Sequence, residues 1–236
     1  MDNNTHYLTC ERNSVFRLLM LSAGMMGAFT FVWRGGVFCN AQTANLVLMA
    51  IAFGQRNWLA GLYLLIPISA YFLGTIISEI LPNPLRHFGF LRWDTYLVGF
   101  EILVLIAIGF LPMSVPDQVV QVSINFIASM QYNTFRRSEG TPMATTFCTN
   151  HIRQAGIGIA KLIRKHDDAA WHTSIKHLLM IGAFCLGAAL MTVTIGFAGE
   201  RAIWLAALPL IAAFIMMAHA DLGVEHNELD HKPMGH

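Results

Sequence analysis

The sequence predicts an all-α fold, a polytopic helical membrane protein built from two four-element repeats. Hydrophobic residues make up 55% of the 236-residue chain and charged residues 12%, about half of the roughly 25% charge of a soluble domain. Several apolar runs approach the ~20 residues that a helix needs to cross a bilayer. A short polar motif is also echoed at matching places in the two halves of the chain.

The first four elements are bounded by polar or breaking residues. The run 14–33 follows a polar start, has the length of a span and is not followed by a small-residue cleavage site, so we expect a span rather than a signal peptide. The run 40–54 is short and polar at its start. The run 58–80 stops before two prolines, and the run 95–113 ends at a third.

The last four elements repeat this order after the proline-containing link 111–116. The run 119–135 is studded with polar residues, and 146–162 is again short and polar at its start. The runs 177–197 and 202–218 are apolar and close to span length. The repeats therefore cover approximately 14–113 and 119–218 of a single membrane domain, 1–236, which ends in a polar tail, 221–236.

Two topologies remain open. The distribution of basic residues distinguishes them, because Lys and Arg favour the cytoplasmic side of a membrane. If all eight elements cross, Lys and Arg divide eight inside against six outside. If the second and sixth elements are re-entrant, six full spans remain and the division is eleven against three, with Arg153 uncounted. The second topology places both termini in the cytoplasm. It also gives the two halves opposite orientations in the membrane, because each half then crosses three times.

The echoed motifs are candidate sites. Aligning Thr43 with Thr149 places Asn45 opposite His151, and polar, interrupted helices at corresponding places in two halves point to a binding site. Each threonine is either a helix N-cap or the start of a helix whose dipole faces a polar or anionic ligand. Asn45 and His151 either hydrogen-bond between helices or contact a solute or proton.

Three more residues join the candidate set. Gln131 lies near one face of the fifth element with Gln121 and Asn125, where it would line a path or join helices. Arg153 lies in the sixth element, and if it is buried it must pair. Glu101 lies within the fourth element, where a carboxylate is costly, so we expect proton or ion coupling there, with His151 or Arg153 as a partner.

Two runs carry a family resemblance. The first is Ala23-Gly24, Phe29-Thr30-Phe31 and Arg34 to Val47, and the second is Gln131 to Arg136 followed by Ala144 to Thr149. Both resemble motifs of the YoaK-like bacterial membrane proteins, a family of unknown function, so the resemblance implies a bacterial inner-membrane protein. The chain departs from the family's Thr-Gly-Asn at Ala44 and at Asn150-His151, and it has Gly27 where relatives often carry aspartate.

We expect a small secondary transporter or channel whose path runs between the two polar motifs. The alternative is a non-transporting assembly or regulatory protein in which those motifs pack helices. The sequence holds no nucleophile elbow, HExxH, P-loop or dinucleotide motif, so we expect no enzyme activity. The four cysteines lack ligand spacing, so we expect neither a cofactor nor a metal. The expected partners are the lipid bilayer, a small solute or ion and a second copy in a homodimer; a net charge of +1 implies no nucleic acid.

Overall fold

The computed structural model describes residues 7–81, 89–231 and 233, and it is all-α apart from one short hairpin. The helices are α1 Asn13–Trp33, α2 Gln42–Gly54, α3 Trp58–Ile80, α4 Trp93–Gly109, α5 Asp117–Thr134, α6 Thr149–Lys165, α7 Asp168–Ala198 and α8 Trp204–Leu222. Strands β1 Arg137–Ser138 and β2 Thr141–Pro142 pair antiparallel. Short 3₁₀ turns cover Thr9–Glu11, Gly199–Ile203 and His226–Glu228. Pro82, Pro84 and Arg86 lie outside the described residues.

Three helical stretches are long and apolar enough to cross a membrane, namely Asn13–Trp33, Trp58–Ile80 and Asp168–Leu222, the last containing both α7 and α8. They make this a membrane protein with several apolar helices, as the composition predicts. The bounds of α3 agree with the sequence prediction, whereas α7 begins nine residues earlier than predicted. Its polar first turns form because the Asp167 side chain caps the helix, accepting from the Ala170 N–H at 3.0 Å.

Each helix has definite neighbours. α1 packs on α7 and α8, α3 packs on α5, α2 packs on α3, α6 packs on α7, and α4 packs on α8 and α5. The core contains much of α1, and Phe16, Leu19, Met20 and Phe29 are fully buried there. The central position of α1 is consistent with its mostly apolar sequence.

Small residues permit the closest crossings. A Cβ on Gly24 of α1 would clash with the Phe184 carbonyl of α7, and a Cβ on Gly187 of α7 would clash with the Leu21 carbonyl of α1. A Cβ on Gly74 of α3 would likewise clash with the Ser129 side chain of α5. Gly24 and Gly187 are therefore packing positions, the role that small residues have in membrane helices.

One end of the bundle, here called the Arg34 end, is joined by a buried ion cluster. Arg34 follows α1, is fully buried and contacts Glu200 at 2.7 Å and Asp117 at 3.2 Å. Burial opposes the charge of Arg34, but hydrogen bonds to Glu200 and Asp117 outweigh it and raise the pKa of the guanidinium. This cluster thereby joins the end of α1, the start of α5 and the end of α7.

The opposite end, here called the Glu139 end, is joined through the turn of the hairpin. Glu139 accepts from the Asn13 N–H at 3.3 Å and from the Lys176 ammonium at 2.8 Å. Burial opposes the charge, but these two bonds outweigh it and lower the pKa of the Glu139 carboxyl. The polar tail also folds onto this end, because Glu225 accepts from the Thr9 N–H at 2.8 Å.

Candidate functional site

The loop between α1 and α2 descends into the bundle. Asn40 donates to the Ala23 carbonyl at 3.1 Å, and Ala23 lies eleven residues before Arg34, about 16 Å along a helix axis. α2 therefore begins deep inside the bundle and returns toward the Arg34 end, where Gln55 and Gly35 line one cavity. The amide of Asn40 also occupies the space beside Gly27 that any larger side chain there would enter.

The aligned residues Asn45 and His151 perform the same structural task. The Asn45 amide donates to the Phe38 carbonyl at 2.6 Å, and His151 Nε2 bonds the Ala144 carbonyl at 2.8 Å. In both cases the carbonyl lies seven residues earlier, in the loop before the helix. Asn45 Oδ1 also accepts from the Phe38 N–H at 3.2 Å, so this side chain is satisfied by its own loop.

His151 has a second contact that the sequence does not reveal. Its Nδ1 lies 2.8 Å from Nδ1 of His177 on α7, and both rings are buried. Because Nε2 of His151 faces a carbonyl, that nitrogen carries the hydrogen. In the neutral ring Nδ1 is then an acceptor, and His177 Nδ1–H donates to it. The pair therefore ties the loop before α6 to α7.

A row of buried amides runs along α5, here called the polar row: Gln121, Asn125 and Gln131. Gln121 donates to the Arg34 carbonyl at 2.6 Å, and Asn125 accepts from Gln42 at the start of α2 at 2.7 Å. Gln131 donates to the Thr145 carbonyl in the loop before α6 at 3.1 Å. The polar row thus bonds the loops before α2 and α6, and Gln131 and His151 contact the same loop.

Two tyrosines of α3 flank the polar row. Tyr63 interacts with Gln121 near the Arg34 end. Tyr71, in the middle of α3, interacts with Thr146 of the loop before α6 and with Cys39 of the loop before α2. The sequence analysis missed both tyrosines because α3 reads as a plain apolar span.

Cavities lie beside both ends of the polar row. One of about 600 Å³ is lined by Gly35, Gly36 and Tyr63 together with the turn between α2 and α3. The other, of about 450 Å³, is lined by Tyr132, Arg136, Phe147 and Asn150 at the Glu139 end. The polar row therefore extends from the neighbourhood of one cavity to that of the other.

The sequence profile described as "Protein of unknown function (DUF1275)" matches residues 15–216. The chain belongs to the DUF1275 family. No curated protein matches the chain, and no solved structure matches it.

The remaining candidate residues of this DUF1275 chain are less enclosed. Thr43 and Thr149 are exposed, and the N-cap positions belong to Ala41 and Cys148, so neither threonine is a cap. Arg153 is exposed on the surface of α6 rather than buried in the bundle. Within the described residues, no group of three or more His, Cys, Asp or Glu side chains is placed to hold a metal ion.

Glu101 stands apart from the polar row. It is fully buried on α4, on the same face as Leu97, Val98 and Leu105. Neither carboxyl oxygen has a hydrogen-bond partner in the part of the chain that the structure describes. The two partners that the sequence predicted for Glu101 are His151 and Arg153. In the structure His151 contacts His177, and Arg153 is exposed.

We expect Glu101→Gln to retain the free energy of unfolding to within about 1 kcal/mol. A charged carboxylate without a partner would cost several kcal/mol here, so we expect Glu101 to be uncharged. Glutamine is also uncharged and has nearly the same shape. Denaturant titration of the purified protein in mixed micelles measures this. A loss of 3 kcal/mol or more, about the value for stranding a buried charge, would show that Glu101 has a charged partner.

Proposed function

We propose that this DUF1275 protein is a small secondary transporter or channel for a small solute or ion. The observation that carries the proposal is the polar row between two cavities at opposite ends of the bundle. Buried polar residues in membrane proteins mark substrate and ion pathways. The YoaK-like resemblance adds the bacterial inner membrane as the proposed location.

We further propose that the two halves are inverted repeats, because equivalent helices of the two halves make equivalent helix–helix contacts. The α1–α7 contact corresponds to α5–α3, and α2–α3 corresponds to α6–α7. The close crossings correspond as well, Gly24 with Gly187 matching Ser129 with Gly74. Inverted repeats with discontinuous helices are the architecture of many secondary transporters.

Contacts at the bundle ends support six spans. If all eight elements crossed, Arg34 after α1 and Asp117 before α5 would lie on opposite faces of the membrane, yet they are 3.2 Å apart. Asn13 and Glu139 would likewise be separated, yet they are hydrogen-bonded. With two re-entrant loops, the Glu139 end, which includes Thr9 and Glu225, lies on the side that the basic residues assign to the cytoplasm.

One observation favours the alternative, a non-transporting assembly or regulatory protein. Asn45 is fully hydrogen-bonded to its own loop, as expected of a packing device. Exposed apolar side chains on α3, among them Leu59 and Phe72, face lipid or a second copy. The two functions predict different behaviour in liposomes.

We expect the protein in liposomes to conduct at least one small solute or ion, and Asn125→Leu to reduce that flux at least ten-fold. Leucine has a similar volume to asparagine but removes the amide at the middle of the polar row. Light scattering after an osmotic step and currents on supported membranes measure the flux across a solute panel. Thr192→Val, on an exposed face of α7, is the control and should retain it.

The alternative predicts another outcome. A folded wild-type protein that conducts none of the panel would contradict the transport proposal. Equal flux in Asn125→Leu and wild type would show that the polar row is not part of the path.

A further inference from the structure

Helix α6 continues beyond the Glu139 end of the bundle. Lys176 of α7 marks that end, because its ammonium bonds Glu139. α7 begins at Asp168, eight residues earlier, and therefore extends about 12 Å past this contact. The middle of α6 packs on the extension, since a Cβ on Gly158 of α6 would clash with the Ser174 side chain of α7. The two helices thus form a hairpin that lies before the apolar run 177–197 of α7.

One side of α6 is basic. Four basic side chains lie on it, all of them exposed: Arg153, Lys161, Arg164 and Lys165. Helical spacing places the four within about 120° of arc, and the helix contains no acidic residue. Among the described residues, none of the four forms an ion pair. The nearest carboxylates in sequence are Asp167, which caps α7, and Asp168.

Another exposed side of α6 is apolar. Three of its four exposed isoleucines, Ile152, Ile159 and Ile163, form a stripe along the helix. The stripe lies about a quarter-turn from the side that packs on α7. The helix therefore presents separate packing, apolar and basic sides, as do amphipathic helices at membrane surfaces.

The position of α6 favours lipid as the partner of its basic side. Headgroups surround a membrane protein where its apolar runs end, and the hairpin lies there. Side chains of a helix tilt toward its N-terminus, so those of α6 lean back toward the bundle, and Lys and Arg are long enough to reach headgroups from there. Two copies of the basic side would repel each other. The corresponding helix α2, which returns to the other end, contains no charged residue.

We infer that α6 is a docking surface for anionic phospholipids, whose headgroup phosphates contact the basic side. Clusters of about four to eight Lys and Arg residues directly beside a membrane helix, or on an amphipathic helix, attract such lipids. The start of the apolar stripe at Ile152 would contact the acyl chains. The inference goes beyond the proposed function, because lipid docking does not require that a solute cross the bundle.

The test is the melting temperature of the purified full-length protein in a neutral detergent. Phosphatidylglycerol and phosphatidylcholine with identical acyl chains are titrated separately. We expect phosphatidylglycerol to raise the melting temperature saturably and at a lower concentration, because a lipid that binds the native state stabilises it. The difference should shrink between about 50 and about 500 mM NaCl, since salt screens exposed charges.

The informative variant is Lys161→Gln with Arg164→Gln, which removes two charges from the basic side. We expect it to weaken the apparent affinity for phosphatidylglycerol at least ten-fold. Arg56→Gln with Arg201→Gln is the matched control, because it removes two exposed positive charges near the Arg34 end. This control should retain the wild-type affinity, and so should the charge-preserving variant Lys161→Arg with Arg164→Lys.

The inference is overturned if the two lipids act equally or if the informative variant keeps the wild-type affinity. It is also overturned if inorganic phosphate at the same concentration reproduces the stabilisation, since the surface would then bind the ion without the lipid. A short acidic peptide or oligonucleotide that binds the basic side more tightly than phosphatidylglycerol would identify a macromolecular partner instead. Absence of flux in liposomes contradicts only the proposed function, so the two failures are distinguishable.

Discussion

Replacing Arg34 with methionine is expected to lower the free energy of unfolding by about 3–5 kcal/mol, the usual loss when one partner of a buried ion pair is removed. Arg34 is fully buried and holds Glu200, whose side chain is 9% exposed, at 2.7 Å. Methionine fills much of the space but leaves the Glu200 carboxylate with one bond from the described residues, donated by the Trp33 indole at 3.0 Å. Denaturant unfolding in mixed micelles measures the loss.

Two controls separate charge from packing at this cluster. The double variant Arg34→Met with Glu200→Gln should recover part of the loss, because it strands no charge. Arg34→Lys should fall between wild type and Arg34→Met, since one ammonium cannot reproduce the guanidinium contacts with Glu200, Asp117 and the Val115 carbonyl. A wild-type stability for Arg34→Met would mean that Glu200 is solvated and that the cluster does not fasten the helices.

The second large effect is expected at the crossing of α1 and α7. Gly187→Val should destabilise the fold by about 3 kcal/mol, at the upper end of the range for overpacking. The added atoms would meet the Leu21 carbonyl and the Met25 amide of α1, and backbone cannot rotate aside as a side chain can. The melting temperature and the free energy of unfolding should fall together.

Gly182→Val on the same helix is the matched control, because nothing lies within 4 Å of a Cβ at that position. Its stability should remain within about 1 kcal/mol of wild type, the range of helix propensities. Equal losses at both positions would attribute the effect to helix propensity. Equal tolerance would mean that α1 and α7 separate readily, against the close crossing.

Much of the architecture is readable before folding is considered. The bounds of α3 and the C-terminal end of α1 follow from apolar runs and breakers, because helix formation in a membrane depends on local composition. The alignment of Thr43 with Thr149 is also informative. It pairs Asn45 with His151, and both bond a carbonyl seven residues earlier.

Partners are harder to foresee than elements. His177 marks only the predicted start of a span, yet it contacts His151 across 26 positions of sequence. The sequence left Arg153 open as a partner of Glu101, whereas the helix turns that side chain outward. The tail reads as a simple polar segment, but Glu225 reaches Thr9 across 216 positions.

The difference between what the sequence predicts and what only the folded structure determines has a physical reason. Hydropathy and helix breakers are properties of short segments, so the all-α membrane character and the positions of the polar loops can be read from the sequence. Which amide meets which carbonyl depends on how the helices cross, and the crossings depend on small residues such as Gly24 and Gly187 meeting backbone from distant segments. The folded chain alone therefore determines that Gln121 bonds the Arg34 carbonyl and that Gln131 bonds the Thr145 carbonyl.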